Sequence, residues 1–181
     1  PGVPLARARA IASYDRRWPN IDAAGVVSVV LIPRGPRPAP MPSLALLRAV
    51  ERYLAPRRLI TSELHAIAPR YRRVGVSATL HLACGDDAGA VLRAAHACIA
   101  GLFDPIDGGP SRQGWPFGRS VYRNDVLAAL ARLPGVDHVS DLGLLAGATG
   151  CGACGDAGAD GGASCDNVAL CPHELPRPGR H

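Results

Sequence analysis

Phe103-Asp104-Pro105-Ile106-Asp107-Gly108-Gly109-Pro110-Ser111-Arg112-Gln113-Gly114-Trp115-Pro116-Phe117-Gly118-Arg119, continuing into Ser120-Val121-Tyr122-Arg123-Asn124-Asp125-Val126-Leu127, is the stretch on which the rest of the chain is organised. It combines closely spaced glycines and prolines with three of the chain's eight aromatic rings, Phe103, Trp115 and Phe117. A flexible linker carries no such rings, so the stretch reads as an ordered loop, with Trp115 held in the core of its own domain and Arg119 and Arg123 facing a neighbour. Asn124 is placed to cap a helix whose apolar positions Val126, Leu127, Leu130 and Leu133 share one face, and Pro134-Gly135 ends it. A strand resumes at Val136.

Upstream, Gly25 to Ile32 is a β-branched run expected to form a strand buried on both faces. Residues 1–19 form an Ala/Arg-rich lead-in with Tyr14 and Trp18 as anchors. Pro33 to Pro42 holds five prolines and reads as an extended surface connection. Ser43 caps a helix directing Leu44, Leu47, Val50 and Leu54 to the core and ending at Pro56. Leu59–Ile67 and Arg72–Leu82 read as an antiparallel pair joined at Pro69, with Val74, Val76, Ala78, Leu80 and Leu82 alternating against Gly75, Ser77, Thr79 and His81. Asp86 or Asp87 starts a further helix with the stripe Val91, Leu92, Ala95, Cys98, Ile99 and Leu102. The order β-α-β-β-α-(loop-α)-β predicts an α+β fold, a split βαβ (ferredoxin-like) sandwich with an extra helix over residues 1–145.

Composition changes after Leu145. Residues 146–164 are mostly Gly, Ala and Asp, a mixture that builds no packed core, so 146–181 is expected to be a Cys/Gly-rich C-terminal insertion and tail. It carries Cys151 and Cys154 in a C-x2-C knuckle, then Cys165 after ten residues and Cys171 after five more. Four thiolates at these spacings can hold a structural zinc, with His173 able to replace one of them. Disulfides in a released particle and free thiols in a disordered loop are the other two readings. Cys84 and Cys98 lie at a strand end and on a helix stripe, and read as small boundary or core residues.

All 20 basic residues are Arg and none is Lys, which with the excess of Ala, Gly and Pro points to a GC-rich coding sequence. The formal charge of +5 is therefore weak support for nucleic-acid binding. The best basic patch is Arg70-Tyr71-Arg72-Arg73, which suits a protein interface or a solvated surface better than a nucleic acid. No apolar run approaches the roughly 20 residues of a membrane span, and the N-terminus has no signal-peptide pattern. The six His residues are scattered and show no H-E-x-x-H spacing. Asp104, Asp107 and Asp125 sit in turns or a first helical turn, and Ser111 and Ser120 lack a nucleophile elbow, so no catalytic constellation and no small-molecule substrate are expected.

The order P-x-x-GG, GW-x-FGR, VY, capped helix and PGVD-x-V, together with Arg57-Arg58-Leu59-Ile60-Thr61 and Ala68-Pro69-Arg70-Tyr71-Arg72-Arg73-Val74, resembles the C-terminal part of the baseplate J family, the wedge proteins of contractile phage tails and contractile injection systems. The resemblance runs from about Pro1 to Leu145. It implies a non-enzymatic assembly protein that pairs with another wedge copy or paralogue, joins the ring around the hub and connects to sheath-proximal proteins. It implies cytoplasmic assembly followed by residence in a tail-like particle, and a longer protein of which this is a C-terminal portion. The competing reading is a small zinc-stabilised binding module, in which the cysteines and arginines act on a nucleic acid.

Overall fold

The computed structural model describes residues 4–19, 21–146 and 165–179. They divide into two compact units, residues 1–70 and 71–181. Unit one contains β1 (Leu5–Tyr14), β2 (Asp22–Pro33), α1 (Leu44–Leu54) and β3 (Glu63–Ile67). Unit two contains α2 (Ala88–Leu102), β5 (Val121–Tyr122), α3 (Arg123–Leu130), β6 (Val136–Ala146), β7 (Asn167–Val168) and β8 (Glu174–Pro178), together with β4 (Arg70–Leu82) from Tyr71 onward. The α+β class is as the sequence predicts, but the strands are shared among three sheets, ordered β1-β2-β3, β6-β4-β8 and β5-β7, and the four-stranded sheet of a ferredoxin-like sandwich is not formed by the described residues.

In the first unit, β1 and β2 pair antiparallel from Leu5↔Pro33 to Tyr14↔Asp22, and β3 runs parallel to β2 from Val26↔Glu63 to Val30↔Ile67. The lead-in expected at residues 1–19 is therefore largely a strand, and of its two proposed anchors Trp18 is 62% exposed. A parallel neighbour requires a crossover, and the Pro-rich connection plus α1 supplies it. Ser43 caps α1, its Oγ accepting from Leu46 N–H at 3.2 Å, and Leu31, Val50 and Ala66 form a core to which Leu5, Val29, Leu46, Leu47 and Leu54 add. Glu51 Oε1 accepts from Ala66 N–H at 2.9 Å, tying the helix to β3. The antiparallel pairing expected between the two strands around Pro69 does not occur: β3 joins β2 and β4 joins β6. Ala68-Pro69 explains this, because a residue before proline is pushed toward extended backbone and neither residue suits the left-handed positions of a tight hairpin.

Asp15 lies at the end of the β1–β2 pair. Its carboxylate takes Arg17 Nη2 at 2.7 Å and Arg17 N–H at 2.8 Å, and these bonds, the side-chain one foremost, hold its pKa down to about 2. Because the folded value lies below the roughly 3.9 of an unfolded Asp, this contribution to stability is complete above about pH 4 and disappears as pH falls toward 2. Acid titration of the unfolding midpoint should show a loss in that window that is smaller in Asp15→Asn. An identical acid profile for the two proteins would refute this.

In the second unit β4 carries the predicted alternation: Val74 and Val76 are buried while Arg73, Ser77, Thr79 and His81 are exposed. Its antiparallel partner is β6, from Val74↔Ala146 to Leu82↔Val136. Asp87 caps α2 through Gly89 N–H at 2.9 Å, and Val91, Ala95 and Ile99 form the buried stripe, with Leu92 54% exposed. Helix α3 begins two residues earlier than the Asn124 cap would place it. Tyr122 takes the cap position with no side-chain bond, because the short strand β5 runs directly into the helix. Among the described residues, no helix is long and apolar enough to cross a membrane.

Candidate functional site

The loop from Phe103 to Ser120 folds back on its own unit. Phe103 and Trp115 are completely buried and Phe117 is 5% exposed. The Phe103 and Trp115 rings meet edge to face, centroids 5.7 Å apart at 79°, and Trp115 Nε1 donates to Arg119 O at 2.9 Å, so the indole loses neither packing nor its hydrogen bond. Asp104 organises the turn: its Oδ1 accepts from Ile106 N–H and Asp107 N–H, both at 2.8 Å, and its carbonyl from Gly108 N–H and Trp115 N–H. A carboxylate committed to two backbone amides serves the turn, as the sequence suggested. Gly108 is required by space, since a Cβ there would stand 2.5 Å from the carbonyl oxygens of Asp104 and Gly101.

Arg119, expected to face a neighbour, is instead held within the unit. Its guanidinium pairs with Asp125 at 3.0 Å and lies over the Trp115 and Tyr122 rings at 5.3 and 5.7 Å. Arg123 reaches Asp166 Oδ1 at 3.5 Å. The basic patch also resolves differently: Arg72 is 6% exposed and its Nη1 donates to Ala169 O at 2.7 Å, so it serves as an internal tie. A groove of about 570 Å³ opens between α2, α3 and the loop, with Cys98, Asp107, Arg112 and Arg132 among its lining residues. Burial raises the pKa of the Cys98 thiol, which fits the small boundary residue expected there.

The second part of the loop receives the end of the chain, which sequence reading took for a tail. Val168 and Leu175 are fully buried, and Leu170 and Cys171 are 7% and 4% exposed. Gly118 N–H donates to Glu174 O at 3.3 Å, Arg123 N–H to Asp166 O at 2.8 Å, and Leu144 and Cys165 form a two-way bridge. Gly118 has φ +69°, and a Cβ on it would lie 2.8 Å from Pro172 Cα, so the loop and the end segment touch backbone to backbone there. The only sequence signal for this burial is the apolar spacing of Val168, Leu170 and Leu175 after the glycine-rich run.

Of the four cysteines expected to hold zinc, Cys151 and Cys154 lie outside the described residues. Cys165 and Cys171 are disulfide-bonded, and a sulfur in a disulfide offers no thiolate to a metal. A different ligand-type cluster is present: Cys171, His173 and Glu174 each place one donor atom within 4.8 Å of the others, and all three residues are buried. Sequence reading named Cys171 and His173 but missed Glu174.

The fold built from these parts has a counterpart among solved structures. It matches a chain in the cryo-EM structure of the anti-feeding prophage (AFP) baseplate, 6-fold symmetrised, with a TM-score of 0.65 and 18% identity over 98% of this chain. The chain spans about a third of that baseplate chain, 34% of its length. At this identity the likeness is one of fold. No family model matches the sequence, and neither does any curated protein.

Proposed function

We propose that this chain is the C-terminal portion of a baseplate wedge protein of the baseplate J-like kind, acting in a contractile tail-like injection particle. The observation that carries this reading is the fold shared with the anti-feeding prophage baseplate chain across 98% of the present chain. The motif order around Trp115 supports it independently. So does the first unit's surface, where Trp18, Ile21, Leu59 and Ile60 are 62%, 60%, 74% and 100% exposed. Large apolar side chains left in water at this density suit a protein that works inside an assembly.

In this reading the protein is not an enzyme. It pairs with another wedge copy or paralogue, surrounds the hub and carries the hub's movement to the sheath, first in the cytoplasm during assembly and then as part of the particle. Its carboxylates and arginines serve folding, as Asp104, Arg72 and Arg119 do. Deleting the segment in a producing cell and imaging the particles by negative-stain electron microscopy tests the proposal. The expected result is tubes or sheaths without intact baseplates, with wild-type particles containing the chain by mass spectrometry. Normal particles with complete baseplates from the deletion strain would overturn it.

A further inference from the structure

We propose that the buried corner formed by Cys171, His173 and Glu174 is a divalent-metal site of the zinc class, available only when the disulfide at Cys171 is reduced. The three donors combine a sulfur, an imidazole nitrogen and a carboxylate oxygen, the set from which zinc sites are drawn. Their atoms lie within 4.8 Å of one another, whereas ligand atoms around a tetrahedral zinc are separated by about 3.3 to 3.8 Å, given metal–ligand distances of about 2.0 to 2.3 Å. Side-chain adjustment of about an ångström closes that difference. Cys171, His173 and Glu174 are 4%, 8% and 1% exposed, so a bound cation would be shielded from water.

The backbone holds this corner in place before any metal arrives. Glu174 N–H donates to Cys171 O at 2.8 Å, and Cys171 N–H donates to Glu174 Oε2 at 2.9 Å, closing the turn Cys171-Pro172-His173-Glu174 from both sides. Pro172 occupies the second turn position, where its fixed φ is suited to the bend. Beyond the turn, β8 lies beside β4 in the sheet, and Gly118 N–H holds Glu174 O at 3.3 Å. The ligands therefore sit on a strand end of the folded unit.

Chemistry sets the condition for binding. In the oxidised chain the Cys171 sulfur is bonded to another sulfur and only nitrogen and oxygen donors remain. A dithiol reductant supplies two electrons and two protons, the S–S bond breaks into two thiols, and the dithiol closes into its own disulfide. The cation then displaces the Cys171 thiol proton into solvent. One locus would thus be closed by a disulfide in an oxidising medium and by a metal in a reducing one.

Cobalt(II) added to the purified full chain is the probe, because thiolate ligation gives it a charge-transfer absorption. The chain reduced with a dithiol, then freed of reductant, should take up about one cobalt per chain with that absorption, and the oxidised chain should show none. His173→Gln and Glu174→Gln should each weaken uptake at least as much as the roughly 10- to 100-fold caused by losing an outer-shell partner, with unchanged far-ultraviolet circular dichroism. If either variant fails to fold, alkylation decides on the unsubstituted chain: zinc should protect reduced Cys171 from iodoacetamide and a chelator should restore its reactivity. No uptake by the reduced, folded chain, no protection of Cys171, or cobalt uptake unaltered in both variants would overturn the site. These measurements use the isolated chain, so their outcome is independent of the baseplate proposal.

Discussion

A chain ending at Leu145 should fail to fold its second unit, although its sequence boundary looks like a domain end. The described end segment supplies Val168 and Leu175, both with no exposed surface, and Leu170 at 7%. Strand β8 is a neighbour of β4 in the sheet β6-β4-β8, and β7 is the partner of β5. Removing them strips β4 of a neighbour, leaves β5 without its pair, and exposes the apolar surface those residues cover. Full burial of a Val or Leu side chain contributes about 1.5 to 3 kcal/mol, so the loss of three exceeds much of the roughly 5 to 15 kcal/mol by which a domain is stable. Arg72 would add to the damage, since its guanidinium donates to Ala169 O at 2.7 Å from a buried position. The expected outcome is loss of the cooperative thermal transition of this unit, with binding of a hydrophobic dye. A sharp transition like that of the full chain would show that the end segment is dispensable.

Replacing Trp115 by Ala should have the next largest effect. The indole is fully buried, packs against the edge of Phe103 at 5.7 Å and donates to Arg119 O at 2.9 Å. Truncation leaves a cavity and an unsatisfied carbonyl acceptor, and it removes the ring over which the Arg119 guanidinium lies at 5.3 Å. Buried Trp→Ala changes cost about 3 to 5 kcal/mol, so the isolated chain should melt about 6 to 20 °C lower. Trp115→Phe should recover part of the packing without the hydrogen bond and fall between the two. An isolated Trp115→Ala chain that melts as the wild type does would mean that the ring is not a core element.

What the sequence alone determined was local. Ser43 and Asp87 cap the helices they were expected to cap, because a side-chain oxygen can reach an amide two or three residues on whatever the rest of the chain does. The alternation of Val74, Val76, Ala78, Leu80 and Leu82 gave one face of β4 by the two-residue period of a strand. Glycines and aromatics together identified an ordered loop with Trp115 in its own core, and Asp104 and Asp107 were read as turn residues for their local hydrogen-bonding geometry.

Tertiary structure decided which strands share a sheet and which charges turn inward. β3 has the composition of either a hairpin arm or a parallel neighbour, and only the packing of α1 across β2, with Glu51 Oε1 on Ala66 N–H, selects the parallel partner. Arg72 and Arg119 have the sequence character of surface arginines. The carbonyl of Ala169 draws the first inward, and the Asp125 carboxylate with two aromatic faces holds the second. Residues 165–179 join the second unit's core after a long glycine-rich run whose composition gives no direction. Pairing over such a distance depends on shape and unpaired strand edges at the far end, and a local pattern in the chain carries no record of either. The same holds for Cys171, His173 and Glu174: their closeness in sequence is visible at once, but burial and the two-way hydrogen bonding of the turn are what bring their donor atoms together.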